Sequence, residues 1–380
     1  MSTKHRQASR ERGGRPMTRD EIARVIDEGP TGAVPSEIAE ALGSYRLHLS
    51  SRDTDFDPRD HLVREEGGGW TLRLPPHASL GRPGSSGERL DRTGAMAGIA
   101  KAPVTTPHRP AWAASSVQAR DAAQAAERVR LRRVGGRAVE PFYGVYPPDD
   151  RQVYWPAAYP WRCIGRVFTW STWGSPSWSW SGAGVLVGPR HVLTAGHVCP
   201  WGSESWGMLF VPGYWDGSSA LGAGAQSWTE HYRGWNTGDQ VAANDIAVMK
   251  LYDPIGSWLG WMGTKVYDGD WEGGNYWTLA GYPGLIAGAS RPSRQSGIPV
   301  LDDDEDGSAM ELEHHGDSSP GDSGGPFFGF WDDGPYAVGT VSGGETISGG
   351  FLGIGDEDNN ISAGGEALVD LVLWAQQNWP

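Results

Sequence analysis

From about residue 141 onward, the sequence predicts an all-β fold closed by one helix. Short apolar runs rich in Val, Ile, Thr, Tyr and Trp recur there between Gly, Asp, Asn and Pro, for example GAGVLVG, HVLTAG and DIAVMKL. Many short strands separated by turn residues are typical of a sandwich or a barrel. The last segment differs, because its apolar residues share one helical face: Leu368, Leu371, Val372 and Ala375.

The composition of the chain changes near residue 140. Residues 1–140 carry 23 Lys and Arg against 18 Asp and Glu, whereas residues 141–380 carry 9 against 28. Of the 20 tryptophans, 18 follow residue 140. We therefore predict an N-terminal pro-region or appendage with a linker over 1–140 and a folded domain over 141–380.

The N-terminal region is predicted to be partly helical and partly disordered. Residues 19–45 read as two short helices broken at Gly29-Pro30, and residues 115–133 as a further helix. Residues 75–110 are rich in Pro, Gly and Ser, which is typical of a linker.

Charge and hydropathy exclude two classes of partner. The acidic second half argues against binding to nucleic acid, because phosphates are attracted by clusters of Lys and Arg. The sequence has no stretch of 18 apolar residues, so no membrane span is expected. The basic N-terminus is not followed by the apolar core of a standard secretory signal.

Three segments carry the residues of a nucleophilic hydrolysis: VLTAGHVC with His197, NDIAVMKL with Asp245 and GDSGGP with Ser323. A serine hydroxyl is a weak nucleophile until an imidazole takes its proton, and a buried carboxylate holds that imidazole in the right tautomer. The attacked carbonyl becomes an oxyanion, which needs fixed donors. Gly321 lets the loop turn, so that the backbone N–H groups of Gly321 and Ser323 can point at one spot.

The motifs TAGH, NDIAV and GDSGGP, in that order and 48 and 78 residues apart from His to Asp to Ser, resemble the chymotrypsin-like (trypsin-fold) serine proteases. The resemblance covers about residues 141–380. It implies two six-stranded antiparallel β-barrels with a C-terminal helix, the first over about 161–265 with the His and Asp, the second over about 266–380 with the Ser. It implies a serine endopeptidase that cleaves proteins or peptides through an acyl-enzyme, needs no cofactor, and works in a secreted or extracytoplasmic setting. A non-cleaving binding module on the same fold is the alternative from another class.

The resemblance to two branches of this family leaves the specificity pocket open. YPPDDRQVYWPAAYPWRCIGRVFT is similar in layout to the mature start of the bacterial glutamyl-endopeptidase (V8-like) group, but the loop over residues 317–326, which ends in GDSGGP, is closer to trypsin. Asp317 takes the place of the charged residue at the base of a trypsin-like pocket, with Ser318, Ser342 and Gly344 as further substrate-binding residues. That arrangement implies cleavage after Arg or Lys.

Cleavage after an acidic residue is the alternative. A glutamyl pocket would require a His at the position of Val341, and that His is missing. Some glutamyl-type relatives nevertheless carry an Asp at the spacing of Asp317, so this residue alone does not choose between the two pockets.

Asp322 resembles the residue that, in trypsin-type zymogens, pairs with the new N-terminal ammonium after activation cleavage. Arg133-Val134-Gly135-Gly136 is reminiscent of such a cleavage site, although the 63 residues between Val134 and His197 exceed the usual distance. A basic linker is the alternative interpretation of this segment.

Two further patterns concern metal binding and redox state. The segment DDDEDGSAMELE fits D-x-D-x-D-G-x5-E, which suits calcium; its candidate ligands are Asp302, Asp304, Asp306 and Glu313. Its flanks read as strands, so a solvated acidic loop is the alternative to a structural calcium site. The chain has two cysteines, Cys163 and Cys199, which allow one disulfide or none.

Overall fold

The computed structural model of the 380-residue chain describes residues 14–27, 29–30, 32–44, 46–51, 55–75, 78–91, 104–122, 133–134, 137–138, 144–237, 242–347 and 357–380. Within these ranges the α-helices are α1 (Arg19–Ile22), α2 (Ser36–Gly43), α3 (Ile255–Leu259) and α4 (Glu366–Asn378). Short 3-10 turns lie at Pro58–His61, Trp161–Cys163, Gly196–Val198, Gly269–Trp271 and Ala287–Ala289.

The strands follow one another along the described chain as short elements. Those of the first 140 residues are β1 (Leu49–Ser51), β2 (Leu62–Arg64), β3 (Trp70–Leu72), β4 (Ala78–Leu80), β5 (Ser86–Arg89), β6 (Val104–Thr105), β7 (Arg133–Val134) and β8 (Arg137–Ala138). Next come β9 (Gln152–Val153), β10 (Ile164–Trp170), β11 (Trp180–Leu186), β12 (His191–Thr194), β13 (Gly207–Pro212), β14 (Tyr214–Trp215), β15 (Ser218–Ser219), β16 (Ser227–Gly234) and β17 (Ala247–Leu251). The last are β18 (Gly263–Lys265), β19 (Trp277–Gly281), β20 (Ser293–Ile298), β21 (Asp302–Asp306), β22 (Ala309–His314), β23 (Pro326–Trp331), β24 (Gly334–Ile347) and β25 (Glu357–Gly365).

The first barrel is a closed antiparallel sheet of six strands. Its order is β13-β10-β11-β12-β17-β16, and pairing of β13 with β16 closes the ring. Closure leaves few unpaired backbone groups at an edge. Inward-facing side chains such as Val167, Met208 and Phe210 are fully buried and fill the interior.

The second sheet has ten strands and its own hydrophobic core. The path runs β21-β22-β25-β24-β23-β19-β20-β9, with β18 on β24 and β6 on β18. The predicted fold class, all-β with two barrels and a C-terminal helix, is therefore confirmed. Two of the ten strands, β6 and β9, precede the first barrel in the chain and pair at the margin of this sheet, so the strands that follow the first barrel number eight.

Helix α4 closes the chain with its apolar face inward, as the spacing predicts. Leu368, Leu371, Val372 and Ala375 are fully buried. The turn after the helix is bound to the first barrel, where the carbonyl of Trp379 lies 2.9 Å from His191 Nε2.

The described parts of the N-terminal region dock on both barrels. Strand β5 extends the first barrel by parallel pairing with β16, and β6 joins the second sheet. Gly84 and Gly87 permit close approach, because a Cβ there would lie 2.0 Å from the ring of Trp206 and 2.2 Å from that of Tyr232. The segment predicted as a linker over 75–110 thus supplies strands β4, β5 and β6 in its described part.

Two predictions for this region have different outcomes. The two short helices expected over 19–45 are confirmed as α1 and α2. The helix expected over 115–133 does not form over 115–122, which is extended and makes β-bridges to Tyr159 and Tyr154; most of its remainder lies outside the described residues. Bridging to the domain over 141–380 satisfies backbone groups that a helix would have satisfied internally.

Candidate active site

His197 and Asp245 form a close pair on the first barrel. The imidazole follows β12 on a 3-10 turn, and its Nδ1 lies 2.7 Å from Asp245 Oδ2. The other carboxylate oxygen accepts the backbone N–H of His197 at 2.9 Å. Because the wholly buried carboxylate fixes a proton on Nδ1, the basic nitrogen of the ring is Nε2.

Asp245 is also held from two other directions. Thr237 Oγ1 donates to Oδ1 at 3.2 Å, and Ser342 Oγ donates to Oδ2 at 2.7 Å. A buried carboxylate needs such donors, because leaving it unpaired would be costly. Ser342, predicted as a substrate-binding residue, thus has its hydroxyl on the carboxylate that orients the imidazole.

Ser323 lies in a tight loop between β22 and β23, and glycine permits its course. Gly321 has φ +105°, and a Cβ there would lie 2.3 Å from the carbonyl oxygen of Tyr282. Gly324 has φ +83° and packs against Thr194, which is three residues before the histidine of the pair. The GDSGGP motif therefore fits a loop that only glycine can build at these two points.

The loop that carries Ser323, called the nucleophile loop here, is hydrogen-bonded to the first barrel through its backbone. Ala183 N–H, on β11, donates to the carbonyl of Ser323 at 2.7 Å. With Gly324 against Thr194, this bond places the serine of the second sheet beside the strand that leads to His197. The structure thus brings all three predicted triad residues to the junction of the two barrels.

Asp317, the predicted pocket charge, is a buried carboxylate with backbone partners. Its side chain is fully buried, and its two carboxylate oxygens accept the backbone N–H groups of Tyr146 at 2.7 Å and Asp150 at 2.9 Å. Burial raises the pKa of this carboxyl to about 6, although these two hydrogen bonds oppose the shift. Each oxygen of this carboxylate thus already accepts one backbone hydrogen bond, in the absence of any substrate cation.

Ser318 and Gly344 are the remaining predicted pocket residues. Ser318 is fully buried, its N–H donates to the carbonyl of Gly144 at 3.0 Å, and its Oγ has no hydrogen-bond partner within the described chain. Gly344 lies on β24 opposite Asn360 of β25. Sequence reasoning missed Asn360, whose amide binds both backbone groups of Gly144 and the carbonyl of Gly316.

A buried ion pair lies under the nucleophile loop, and its cation was also missed. Arg151 is 2% exposed, and its Nη1 lies 3.5 Å from Oδ2 of the wholly buried Asp322. Burial raises the pKa of Asp322 to about 7, and the guanidinium opposes that shift. The sequence signal for Arg151 was the motif DDR before the first barrel. This motif lies within the segment compared with the V8-like group.

The predicted calcium loop is a β-hairpin instead. Asp302, Asp304 and Asp306 lie along β21, and Glu313 is buried on β22, where Asn359 donates to its carboxylate. Ligands converge on one ion only where the chain curves around it, whereas an extended strand spreads them along its length. In the described ranges no group of three or more His, Cys, Asp or Glu is placed to hold a metal. Calcium binding therefore stays a prediction without a pre-formed site in those ranges.

The two cysteines are buried thiols rather than a disulfide. Cys163 precedes β10, and Cys199 follows the turn of His197. Burial raises the pKa of both thiols, so neither is a ready thiolate.

Known proteins are similar to part of this chain. Residues 170–355 match the model of the family Trypsin. No curated protein matches the chain. Among solved structures, one of a Glu endopeptidase in complex with MPD is 19% identical with a TM-score of 0.45, and covers 62% of this chain and 100% of that one.

Two further solved structures are similar at the same level. A thermostable serine protease AL20 from an extremophilic microorganism is 19% identical with a TM-score of 0.40, covering 57% of this chain and 98% of that one. Protease Anisep from Arthrobacter nicotinovorans is 17% identical with a TM-score of 0.41, covering 59% and 99%.

By the family match over residues 170–355 and the two-barrel fold, the chain carries a serine protease domain of the trypsin fold. It is thus a serine endopeptidase, a hydrolase of peptide bonds. Within the described residues, no helix is long and apolar enough to cross a membrane.

Proposed function

We propose that the chain cleaves proteins or peptides with Ser323 as nucleophile, His197 as general base and Asp245 as the group that orients the base. The observation that carries the proposal is the 2.7 Å contact between His197 Nδ1 and a wholly buried Asp245 carboxylate. A carboxylate in that place fixes the tautomer and stabilises the imidazolium that forms during reaction.

The reaction proceeds in two halves. Ser323 Oγ attacks the scissile carbonyl carbon while His197 Nε2 takes its proton, and the N–H groups of Gly321 and Ser323 stabilise the oxyanion. The imidazolium then protonates the leaving amine, which yields an acyl-enzyme on Ser323. Water attacks that ester with His197 again as base, and the serine is released.

The nucleophile is tested with a fluorophosphonate probe, which labels only an activated serine. Wild-type protein should be labelled and should cleave a casein substrate. Ser323→Ala should fold, remain unlabelled and lose on the order of 10⁶ in kcat. Ser308→Ala, in an exposed hairpin turn, is the matched control and should behave as wild type. Labelling of Ser323→Ala would contradict the choice of Ser323 as nucleophile. Absence of labelling in folded wild type would support the non-cleaving binding module instead.

For the residue before the scissile bond, P1, we propose an uncharged side chain. This departs from the Arg or Lys preference that the sequence implied, because both oxygens of Asp317 are bound by backbone donors. The neutral hydroxyl of Ser318, buried and without a partner in the described chain, supports a neutral pocket.

Matched peptides that differ only at P1 test this proposal. Gln or Ala should be cleaved faster than Arg or Glu by wild type, and Asp317→Asn should not change that order. Preference for Arg that disappears in Asp317→Asn would restore the trypsin-like pocket. Preference for Glu would establish the acidic alternative instead. Cleavage of the chain between the N-terminal region and the domain over 141–380, and an extracytoplasmic site of action, remain predictions beside this proposal.

A further inference from the structure

The carboxylate of Asp322 is buried beneath the nucleophile loop, residues 315–325 between β22 and β23. It belongs to the residue between the two proposed oxyanion donors, Gly321 and Ser323. Its Oδ2 accepts the N–H of Ser319 at 3.0 Å, and its own N–H donates back to the carbonyl of Ser319 at 3.0 Å. Gly281 makes room for the side chain, since a Cβ there would lie 2.4 Å from Asp322 Oδ1. The side chain of Asp322 therefore ties this residue to Ser319, three residues earlier in the loop.

Arg151 supplies the positive charge at this carboxylate. Its Nη1 donates to Ser319 Oγ at 3.0 Å and lies 3.5 Å from Asp322 Oδ2. Its Nε and Nη2 form a fork on the carboxylate of Asp149, each at 3.1 Å. Asp149 thus fixes the planar guanidinium, and the guanidinium fixes two residues of the loop.

No cleavage of the chain is needed to place this cation. The sequence suggested that a new ammonium at Val134 would pair with Asp322, but in the described residues the ion-pair partner of Asp322 is Arg151. Arg133 and Val134 form strand β7, paired with β8. The guanidinium of Arg151 is thus already paired with the carboxylate that the sequence assigned to a freed N-terminus.

We propose that Arg151 is the internal counterion that sets the nucleophile loop, so that the uncleaved chain already carries a competent catalytic site. Arg151 touches neither substrate nor the reacting atoms, and it is a positioning residue that acts through Asp322. The inference rests on the proposed catalytic role of Ser323. Release of the N-terminal region would then alter access or stability, whereas the loop would already be set.

The first test measures which form of the chain reacts. Full-length protein, with Arg133→Ala to prevent cleavage at that point, is treated with a fluorophosphonate probe, and the labelled species is weighed by intact-mass spectrometry. The expected result is a labelled chain of full length, with a labelling rate within threefold of that of a chain purified after cleavage near residue 140. If only shortened chains carry the label, the proposal is wrong. Absence of label from every species would instead contradict the catalytic role of Ser323.

The second test separates positioning from general stability. Arg151→Met should lower kcat at least 100-fold with KM changed less than threefold, and Arg151→Lys should recover at least tenfold of that loss, because a cation returns. Arg162→Met is the matched control, since Arg162 is also buried but binds the carbonyl of Ala157. It should stay within threefold of wild type in kcat. All variants are assayed below their own melting temperatures.

The outcomes of the second test are distinct from a folding defect. Folded Arg151→Met with kcat no lower than that of Arg162→Met would overturn the proposal. A failure of Lys to recover activity would also contradict a role based on charge. If Arg151→Met does not fold, the intact-mass measurement on the cleavage-blocked chain decides the question by itself.

Discussion

Gly321 combines an unusual backbone conformation with a proposed role in catalysis. Its φ of +105° is unfavourable for other residues, and the carbonyl of Tyr282 fills the space that a side chain would need. The N–H that this conformation aims is one of the two proposed oxyanion donors. Substitution there should therefore act on the transition state more than on binding of the substrate.

We expect Gly321→Ala to lower kcat by about 10²–10³-fold with a much smaller change in KM, the loss typical of removing one oxyanion donor. Gly307→Ala is the control: Gly307 has φ +71°, but a Cβ there would meet no atom within 4 Å. It carries similar backbone strain in the β21–β22 hairpin and should cost stability alone. Steady-state kinetics of both variants makes the comparison, and equal kcat values would contradict the assignment.

His314, which the sequence did not single out, is a buried neutral imidazole. It is fully buried and stacks on Phe327 with ring centroids 4.5 Å apart. Nδ1 accepts the N–H of Gly316 at 3.1 Å, so Nε2 carries the proton and donates to Ser362 Oγ at 2.9 Å. Burial lowers the pKa of His314 to about 3.

This lowered pKa predicts a loss of stability in acid. Between pH 6.5 and about 3 the unfolded chain binds a proton at His314 that the folded chain does not, so the free energy of unfolding falls as pH falls. The slope reaches about 1.4 kcal/mol per pH unit for one group. The buried carboxyls Asp317 and Asp322 act in the opposite direction, because their pKa values are raised. The contribution of the histidine must therefore be isolated by a variant.

Urea denaturation at pH 7, 6, 5 and 4 isolates it. The advantage in stability of wild type over His314→Gln should shrink steadily as the pH falls. His315→Gln, a change at the exposed neighbour, should give a curve parallel to that of wild type. Parallel curves for wild type and His314→Gln would show that His314 does not stay neutral in the folded protein.

At the scale of elements, the N-terminal strands are hydrogen-bonded members of the two sheets. Strand β5 pairs with β16, and the extended segment over 115–122 bridges to the chain before β10. Trp161, buried in the core, donates its indole N–H to the carbonyl of Ser116 at 2.8 Å. Loss of these segments would expose a barrel edge and leave buried donors without partners.

We therefore expect the N-terminal part to stay bound after the chain is cut between residues 122 and 144. The two fragments should elute together in size-exclusion chromatography. Gly87→Val should weaken this association, because the added side chain would collide with the ring of Tyr232. Gly67→Val is the matched control, as a Cβ at Gly67 meets nothing within 4 Å. Separation of the wild-type fragments would mean that the docking seen here is too weak to hold them.

At the scale of the whole molecule, the site depends on how the two barrels meet. His197 and Asp245 belong to the first barrel, whereas Ser323 and Ser342 belong to the second. Two short contacts join them, from Ala183 N–H to the Ser323 carbonyl and from Ser342 Oγ to Asp245, each at 2.7 Å. A hydrogen bond to a charged group is worth about 1.5–3 kcal/mol.

From that magnitude we expect Ser342→Ala to lower kcat by about 10–100-fold, because Asp245 loses a donor from the second barrel. The control is Thr340→Val on the same strand, since Thr340 is also buried but its Oγ1 has no hydrogen-bond partner within the described residues. Measurement of kcat for both at one pH makes the comparison. A Ser342→Ala enzyme as fast as Thr340→Val would show that the hydroxyl does not support the pair.

The sequence alone predicted the features that depend on local pattern. Turn residues between short apolar runs indicated the all-β class, helical spacing indicated α4, and the three motifs selected His197, Asp245 and Ser323. Each of these signals lies within a few neighbouring residues, where backbone preference and residue chemistry act directly.

The tertiary structure decided what depends on residues distant in sequence. Backbone donors from residues 146 and 150 occupy the carboxylate of Asp317, Arg151 reaches Asp322 across 171 residues, and the acidic segment at 302–306 is an extended strand. The front region, which composition set apart, supplies strands to both sheets. A motif specifies which chemical group is present, but burial and the partners that the fold brings to that group determine its charge, its accessibility and its role.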